Sequence, residues 1–492
     1  MHNHTPFNLT NAAAEEMKLQ GFELTPFPGH QQQLADILAG NVKDHRKRTD
    51  LRGLAWSSID NDTSRDLDQI EWAERLEDGS IRVRVGVADV TSTIAKDTPI
   101  DKFAARQCAT IYTAARNFPM LPIELSTGLT SLNPGEERQA MVAEFVVDGD
   151  GSVREQRIFP ALVCNSAQLA YSHVGPWLVN PEHAVAPAID PAILDQLRLQ
   201  DEVAQRLRRH RQEAGALDFR RTESTPVVAD GRVLSLEDVG RNRAMDLIED
   251  LMIAANETAA HLLSQAHRSG LRRVVKSPER WQRIVDLVYV TSANLSHRVT
   301  LPAEPDAKPL NDFLCKQREH DPDHYPDLAL AIIKLMGAGE YVVVHANDPY
   351  PPGHFALAAN DYSHSTAPNR RFPDMVTQRV LHAMLDNAPP PYTDEELAAI
   401  ADHCNERDKA GRKVERSMLK RAQALALASR IGEHFRAVVT GAGRSGTFVR
   451  VLKPAVEGML VHGAEGLDVG DRLNVKLVHT DPARAFIDFV RV

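Results

Sequence analysis

The residues best suited to chemistry lie in Ser58–Glu71, which reads SIDNDTSRDLDQIE. Asp60, Asp62, Asp66, Asp68 and Glu71 crowd this short span, and Arg65 is the only cation inside it. Carboxylates this close repel one another. A chain tolerates them on a solvated loop, or around a divalent cation that supplies the missing charge; hard cations such as Mg2+ and Ca2+ take oxygen ligands. Three uses are open. The first is a solvated acidic turn. The second is a calcium loop, because Asp60, Asp62, Ser64, Asp66, Asp68 and Glu71 follow the ligand spacing of an EF-hand. That count puts Arg65 where the sharp turn needs Gly, and the flanks Gly53–Trp56 and Ser80–Asp89 read as strands where an EF-hand needs helices. The third is a catalytic Mg2+ site, in which carboxylate-held ions can activate a water and stabilise developing charge.

The whole chain bounds these choices. Its 492 residues can bury several cores, which predicts two to four domains. Hydrophobic content of 43% and charged content of 25% are ordinary for a soluble globular protein. No apolar run is long enough for a transmembrane helix, and the start MHNHTPFNLTNAAAEEMK lacks the pattern of a signal peptide. Cys108, Cys164, Cys315 and Cys404 are scattered with no C-x-x-C pair, so neither zinc nor a disulfide framework is indicated and a reducing cytoplasm is expected. A net charge of −10 argues against a nucleic-acid binder when taken alone. A metal-dependent nuclease, however, carries many carboxylates and can keep its cations in one channel. Basic clusters occur at His45–Arg48, Arg206–Arg211, Arg272–Lys276 and Asn369–Arg371; the first three read as solvated helix faces.

The elements that would position the acidic stretch can be placed coarsely. Asn8–Gly21 and Gln31–Leu38 read as two helices, either a prop for the neighbouring domain or a helix-turn-helix-like module in contact with RNA. An alternating strand is expected over Ile81–Val87, a helix over Lys102–Ile111, and a strand Ala140–Val147 closed by the turn Asp148–Gly151. Residues 176–200 are Pro-rich and read as irregular, ahead of a basic helix Asp201–Gln212. Asp230–Gly231 marks a hairpin turn. The clearest helical pattern is Arg243–Leu263, whose apolar spacing is explained by a buried core helix, so Asn256 is given no chemistry. Helices and loops alternate over 271–345, and a long helix spans Asp394–Ala428. The tail reads as five short strands, Phe435–Thr440, Gly446–Leu452, Glu457–Val461, Arg472–His479 and Ala485–Val490, which predicts an OB barrel. Such barrels hold single strands by aromatic stacking beside a basic groove. Phe435 and Phe448 are candidate platforms, and core residues would look the same.

Ile59-Asp60, five residues, then Asp66-Leu67-Asp68 resembles the I-D-x5-D-[hydrophobic]-D-D signature of the ribonuclease II / ribonuclease R exoribonucleases. The likeness continues through Phe118–Pro122 with Leu125-Ser126 and Ser131–Pro134, Gly215–Phe219, the helix around Asn256, Gly353–Leu357 with Tyr362–Asp374, and the tail phrases Gly446–Val449, Glu457–Leu460 and Val469–Asp471. It covers about residues 53–492. It departs at Gln69, which stands for the fourth aspartate, and at Ala367–Asn369, which stands for S-P-I. Relatives usually begin with cold-shock barrels, and fifty residues cannot hold two of them; a wider entrance that admits RNA structured near its 3′ end is the corresponding expectation.

The resemblance implies an α+β multidomain protein: a helical module over 1–50, a mixed α/β RNB-type catalytic domain over 51–428, and an all-β OB domain over 431–492. It implies a processive, hydrolytic, Mg2+-dependent 3′→5′ exoribonuclease that degrades single-stranded RNA to nucleoside 5′-monophosphates. A cytoplasmic monomer with no membrane association and no organic cofactor is expected. Asp60, Asp66 and Asp68 are the implied metal ligands, and Asp68, Arg370 and Tyr112 the catalytic group. Arg370 would take the scissile phosphate, since a guanidinium offers parallel donors to phosphate oxygens. Tyr112 and Phe219 would pack against the terminal nucleotide, and Arg371, Glu415, Phe435 and Phe448 complete the implied RNA contacts. Gln69 removes one negative charge. Asp62 or Glu71 could compensate, or the chain could be a catalytically weakened RNA-binding relative.

Overall fold

The computed structural model describes residues 7–42, 44–182, 189–219, 223–229, 232–295, 298–443 and 446–492. Its centre is a mixed sheet of five main strands: Trp56–Asp60, Gln69–Arg75, Ile81–Ala88, Glu137–Val147 and Val153–Ala170. The long last strand pairs parallel with Trp56–Asp60 and antiparallel with Glu137–Val147, so the five close on themselves. Ile81, Val83, Val85 and Val87 alternate into the core as the sequence predicts. The strand expected at Gly53–Trp56 instead begins at Trp56 and runs to Asp60. Trp56 is wholly buried and donates its indole N–H to the Leu51 carbonyl at 2.9 Å, which fixes the turn before it. Asp60 therefore ends a strand, and Gln69 opens the next one. An acidic loop hung between two adjacent strands is held at both ends.

Helices Tyr171–Val179, Pro191–Glu213 and Arg243–Gln265 contribute Val174, Trp177, Leu197, Val203, Leu247 and Leu251 to the same core as the sheet. Two of them enter the region expected to be irregular. Pro191 takes the first position of its helix, where its missing N–H costs nothing, and the Asp190 side chain caps the Ala192 N–H at 2.8 Å. Pro176 sits inside the shorter helix. The helix expected over Lys102–Ile111 is Pro99–Gln107 and stops where Cys108 turns to φ 62°. The hairpin turn Asp230–Gly231 lies outside the described residues; its arms Glu223–Ala229 and Arg232–Val239 pair antiparallel. Within 271–345, strands Gly270–Val274 and Glu340–Val344 pair around three helices.

The long helix Asp394–Leu427 opens with a capping box formed by Thr393 and Glu396 and ties the molecule together. Its middle residues Val414 and Met418 share a core with Leu9, Ala13 and Met17 of the first helix, Leu9–Leu19. The second helix, His30–Leu38, sends Leu34 and Ile37 into the main core instead. The two N-terminal helices thus pack on different partners, as props for the body. At its far end the long helix gives Ala424 and Leu427 to the core of a closed five-stranded barrel, His434–Gly443, Gly446–Val451, Val456–His462, Arg472–Asp481 and Phe486–Arg491. The mixed α/β body and terminal OB-like barrel agree with the fold class read from sequence. Among the described residues no helix is long and apolar enough to cross a membrane.

In three basic clusters expected to be solvated helix faces, some arginines face inward while Lys47, Arg209 and Lys276 stay exposed. Arg48 is buried and pairs with Asp44 and with Asp89, the latter at 2.8 Å. Arg208 and Arg211 both meet Asp250. Arg272 is fully buried against Asp361, and Arg273 reaches Asp408 at 3.1 Å. These guanidiniums are internal struts, and apart from Asp44 the partners named lie far away in sequence, so they add little to any RNA-binding potential.

Candidate active site

The acidic loop is pinned from the Pro-punctuated run Phe118–Pro134. The Ser131 hydroxyl accepts the Leu67 N–H and donates to the Arg65 carbonyl, both at 2.9 Å, and Leu132 N–H donates to the Leu67 carbonyl at 3.0 Å. On the other side, Ala88 N–H donates to the Asp68 carbonyl. Leu67 is thereby driven into the core while Asp66 and Asp68 flank it.

Asp68 is 1% exposed. One carboxylate oxygen accepts the Asn369 N–H at 2.8 Å and the other accepts Arg370 Nε at 3.2 Å. Burial raises the Asp68 carboxyl to about 7 and Asp66 adds to the rise, while Arg370 and the Asn369 N–H pull against it. The Arg370 side chain is 43% exposed, and Nε is its one hydrogen-bonding side-chain atom among the described residues, which leaves its outer nitrogens for a ligand. Asp66 accepts the Tyr112 hydroxyl. That contact and burial raise the Tyr112 phenol well above its usual value, so the hydroxyl stays protonated. Tyr112 stands on a short ribbon, Ile111–Tyr112 paired with Asn117–Phe118. Ile111 packs on Gly411 of the long helix so closely that a Cβ there would lie 2.6 Å from its Cδ1. One turn on, burial raises the Glu415 carboxyl, and the Tyr112 backbone N–H pulls it the other way.

Asp60 also feels this group. Burial lifts its carboxyl above the usual range, and Arg370 and Asp66 are the charges that act on it. Its Oδ1 accepts the Asn61 N–H at 2.7 Å. Asp62 is engaged outside the group by the Ser172 hydroxyl at 2.8 Å. The structure thus brings together Asp60, Asp66, Asp68, Tyr112, Glu415 and Arg370 from four separate stretches of chain. All the anionic donors are oxygens, the set a hard divalent cation prefers. Among the described residues no three His, Cys, Asp or Glu side chains converge tightly on one point. Fully buried Glu71 beside them has neither carboxylate oxygen hydrogen-bonded among the described residues, the kind of orphan a cation would relieve. The residues fit Mg2+ by donor chemistry and by this unmet charge.

Other expected contacts fall elsewhere. Arg371 turns inward to Asp374 at 2.7 Å, where it braces the loop and faces no ligand. Phe219 packs with Leu217 on the core of helices 281–336, beside Arg208 and Leu357 and apart from the aspartates. Phe435 is 7% exposed and stacks edge-on against Phe489, so it belongs to the barrel core and is not a stacking platform. Phe448 is half-buried on the outer side of its strand, between inward-facing neighbours.

Asn256 is the residue the apolar pattern of its helix hid. It is 2% exposed. Its Oδ1 accepts the Ser365 N–H and hydroxyl at 2.8 and 2.9 Å, and its Nδ2 donates to Tyr362 and Thr366 hydroxyls at 3.2 and 3.3 Å. It holds the loop that delivers Arg370. Asn369, one of the departures from the motif, takes a hydrogen bond from Thr130 at 2.6 Å and so links that loop to the run that pins the acidic stretch.

Two stretches of the chain match known protein families. Residues 48–387 match the RNB domain, and residues 433–492 match the RNase II-type exonuclease C-terminal S1 domain. The chain is 28% identical to ribonuclease R of Thermotoga maritima over 498 residues, covering 95% of this chain and 68% of that protein. It is 28% identical to ribonuclease R of Escherichia coli over 449 residues, covering 88% of this chain and 53% of that protein. The chain therefore spans about half to two thirds of these relatives' length. In fold it is similar to Mycoplasma genitalium RNase R solved with ribose-methylated single-stranded RNA, with TM-score 0.86, 23% identity, and coverage of 99% of this chain and 78% of that one. The same protein solved with double-stranded RNA gives TM-score 0.85 at 23% identity over 99% of this chain and 83% of that one. An RNB domain that spans most of the chain, followed by the S1 barrel of the RNase II-type exonucleases, places this protein in the RNB family.

Proposed function

We propose that this protein is a Mg2+-dependent, hydrolytic 3′→5′ exoribonuclease that degrades single-stranded RNA processively and releases nucleoside 5′-monophosphates. The observation that carries the reading is the meeting of Asp68 with Arg370 beside Asp60, Asp66 and Tyr112. The relatives named ribonuclease R support the reaction class, and the Mycoplasma genitalium complexes support RNA as the ligand. Asp60, Asp66 and Asp68 would hold Mg2+, which supplies an activated water and offsets charge on the phosphate.

The chain's own residues do the rest. Arg370 presents its outer nitrogens to the non-bridging oxygens of the last phosphodiester. Asp68, itself held by the Asn369 N–H, fixes the guanidinium so that little ordering remains to be done on binding. The protonated Tyr112 ring, held by Asp66 and Glu415, offers a face to the terminal nucleotide. Water adds to phosphorus and the P–O3′ bond breaks. The 3′-oxygen takes a proton and becomes the new chain end, and the freed nucleotide leaves with a 5′-phosphate. A monomer in a reducing cytoplasm suits this activity, with the RNA as its partner and no organic cofactor.

Product analysis on uniformly labelled RNA tests the reading. Nucleoside 5′-monophosphates formed without added inorganic phosphate are expected. Nucleoside diphosphates that appear only with phosphate, or products cut internally, would overturn it.

A further inference from the structure

Gln69 opens the strand Gln69–Arg75, and Glu71 follows two residues later. Residues two apart on a strand project to the same side of the sheet. Glu71 is 0% exposed, and neither carboxylate oxygen has a hydrogen bond or a cationic partner among the described residues. The nearest help goes elsewhere: Gln200 donates to the backbone carbonyl of Glu71 at 3.2 Å and leaves the carboxylate bare. Ser57, its cross-strand partner, has a buried hydroxyl that is likewise unmet. Burying a carboxylate without a partner is expensive, so such a group stays protonated unless a cation completes the site.

The charge that acts on Glu71 is Asp60, which reinforces the effect of burial in holding its carboxyl well above the usual range. The Tyr171 phenol lies within the influence of both Asp60 and Glu71 and of Arg370. Asp60 closes the strand that pairs with the one carrying Gln69 and Glu71, so a cation held at Asp60 is the partner that would let the buried Glu71 carboxyl ionise. Asp60, Glu71 and the unmet Ser57 hydroxyl offer oxygen donors, which suit a hard divalent cation.

We propose that Glu71 supplies the carboxylate that Gln69 lacks, acting on the divalent cation held at Asp60. This inference rests on the metal-dependent reading above and assigns one further residue to that site. No three acidic side chains converge at direct ligand distance among the described residues, so Glu71 acts through the water shell that Mg2+ retains. Gln69 remains as a neutral neighbour.

Calorimetric Mg2+ titration and Mn2+ binding followed by electron paramagnetic resonance test this on the whole chain without RNA. Glu71→Gln keeps shape and removes charge. Its divalent-cation affinity is expected to fall about tenfold or more, the usual effect of losing such a partner. Its metal-free melting temperature should hold or rise, because a buried unmet carboxyl becomes an amide. In Gln69→Asp/Glu71→Gln the affinity should return toward that of the parent. Affinity within about twofold of the parent in Glu71→Gln overturns the inference and leaves the nuclease reading standing. A parent that binds no divalent cation overturns both. Should Glu71→Gln not fold, Glu71→Asp draws the charge back by one methylene; weakened binding supports the proposal and unchanged binding ends it.

Discussion

Asp68 and Arg370 lie 302 residues apart in the chain and meet at 3.2 Å, the carboxylate wholly buried and the guanidinium open on its outer side. Each needs the other. Without Arg370 the buried Asp68 loses its cation, and without Asp68 the guanidinium is free to swing. Arg370→Ala should lower kcat about a hundredfold or more, the scale of losing one preorganised donor to developing charge. Arg370→Lys should recover little, since a point charge cannot reproduce the fork. Single-turnover kinetics decide it; a lysine variant within about threefold of the parent would remove the geometric role of the pair.

Tyr112 is positioned twice, by Asp66 through its hydroxyl and by Glu415 through its backbone. Tyr112→Phe keeps the ring and should cost only a few-fold in kcat. Tyr112→Ala should cost much more and lengthen the end products, because the terminal nucleotide loses its stacking face, worth about 1–3 kcal/mol. Equal losses in both variants would show that the hydroxyl does the work.

Asn256 braces the Arg370 loop with hydrogen bonds to three of its residues. Asn256→Ala leaves the Ser365 N–H unmet in a buried place, which costs about 2 kcal/mol. Urea unfolding should show that loss, and kcat should fall with little change in KM. Unchanged stability would contradict the brace.

In the barrel, Phe435→Ala should destabilise by about 3 kcal/mol, as core truncations do. Phe448→Ala should leave the melting temperature near the parent's and weaken RNA binding. Thermal melts and RNA titrations separate the two, and reversed effects would exchange the roles of the rings.

Acid should loosen the Arg370 loop. His354 packs on Tyr362, and burial drives its imidazole down to about 4 from an ordinary 6.5; His364, on the other side of Tyr362, is lowered as well. A lowered folded value means the unfolded chain takes the proton first. Stability from His354 is therefore complete above 6.5 and drains as pH falls toward 4, by about 3 kcal/mol in total. Asp68, raised to about 7, works in the opposite sense, losing stability as pH rises through that value. The difference between parent and His354→Gln isolates the histidine: their stability curves should converge as pH falls from 6.5 to 4. Parallel curves would contradict it.

Much of this was legible in the chain. The acidic stretch, the Ser131 run and the Arg370 loop are short, ordered and rich in residues that only chemistry or tight turns explain. The barrel strands announced themselves by period and glycine turns. Phe435 could have been assigned to the core, since it shares an inward face with Ala437 and Val439. Asn256 was hidden because an amide on an apolar helix reads as a tolerated exception until its partners, more than a hundred residues away, are in place. Arg48 and Arg272 misled for the same reason: Asp89 and Asp361 neutralise them across distances no local pattern reveals. Between Asp62 and Glu71 the sequence could not choose; the fold turns Asp62 to Ser172 and leaves the Glu71 carboxyl without a hydrogen bond among the described residues.

The most direct test is a denaturing-gel time course on 5′-labelled single-stranded RNA with Mg2+, with EDTA and with the Asp68→Asn protein. Progressive shortening to a small end product, seen only with Mg2+ and the parent chain, is the predicted result. RNA that stays full length with the parent and Mg2+, while still shifting on a native gel, would contradict the account and leave a protein that binds RNA without cutting it.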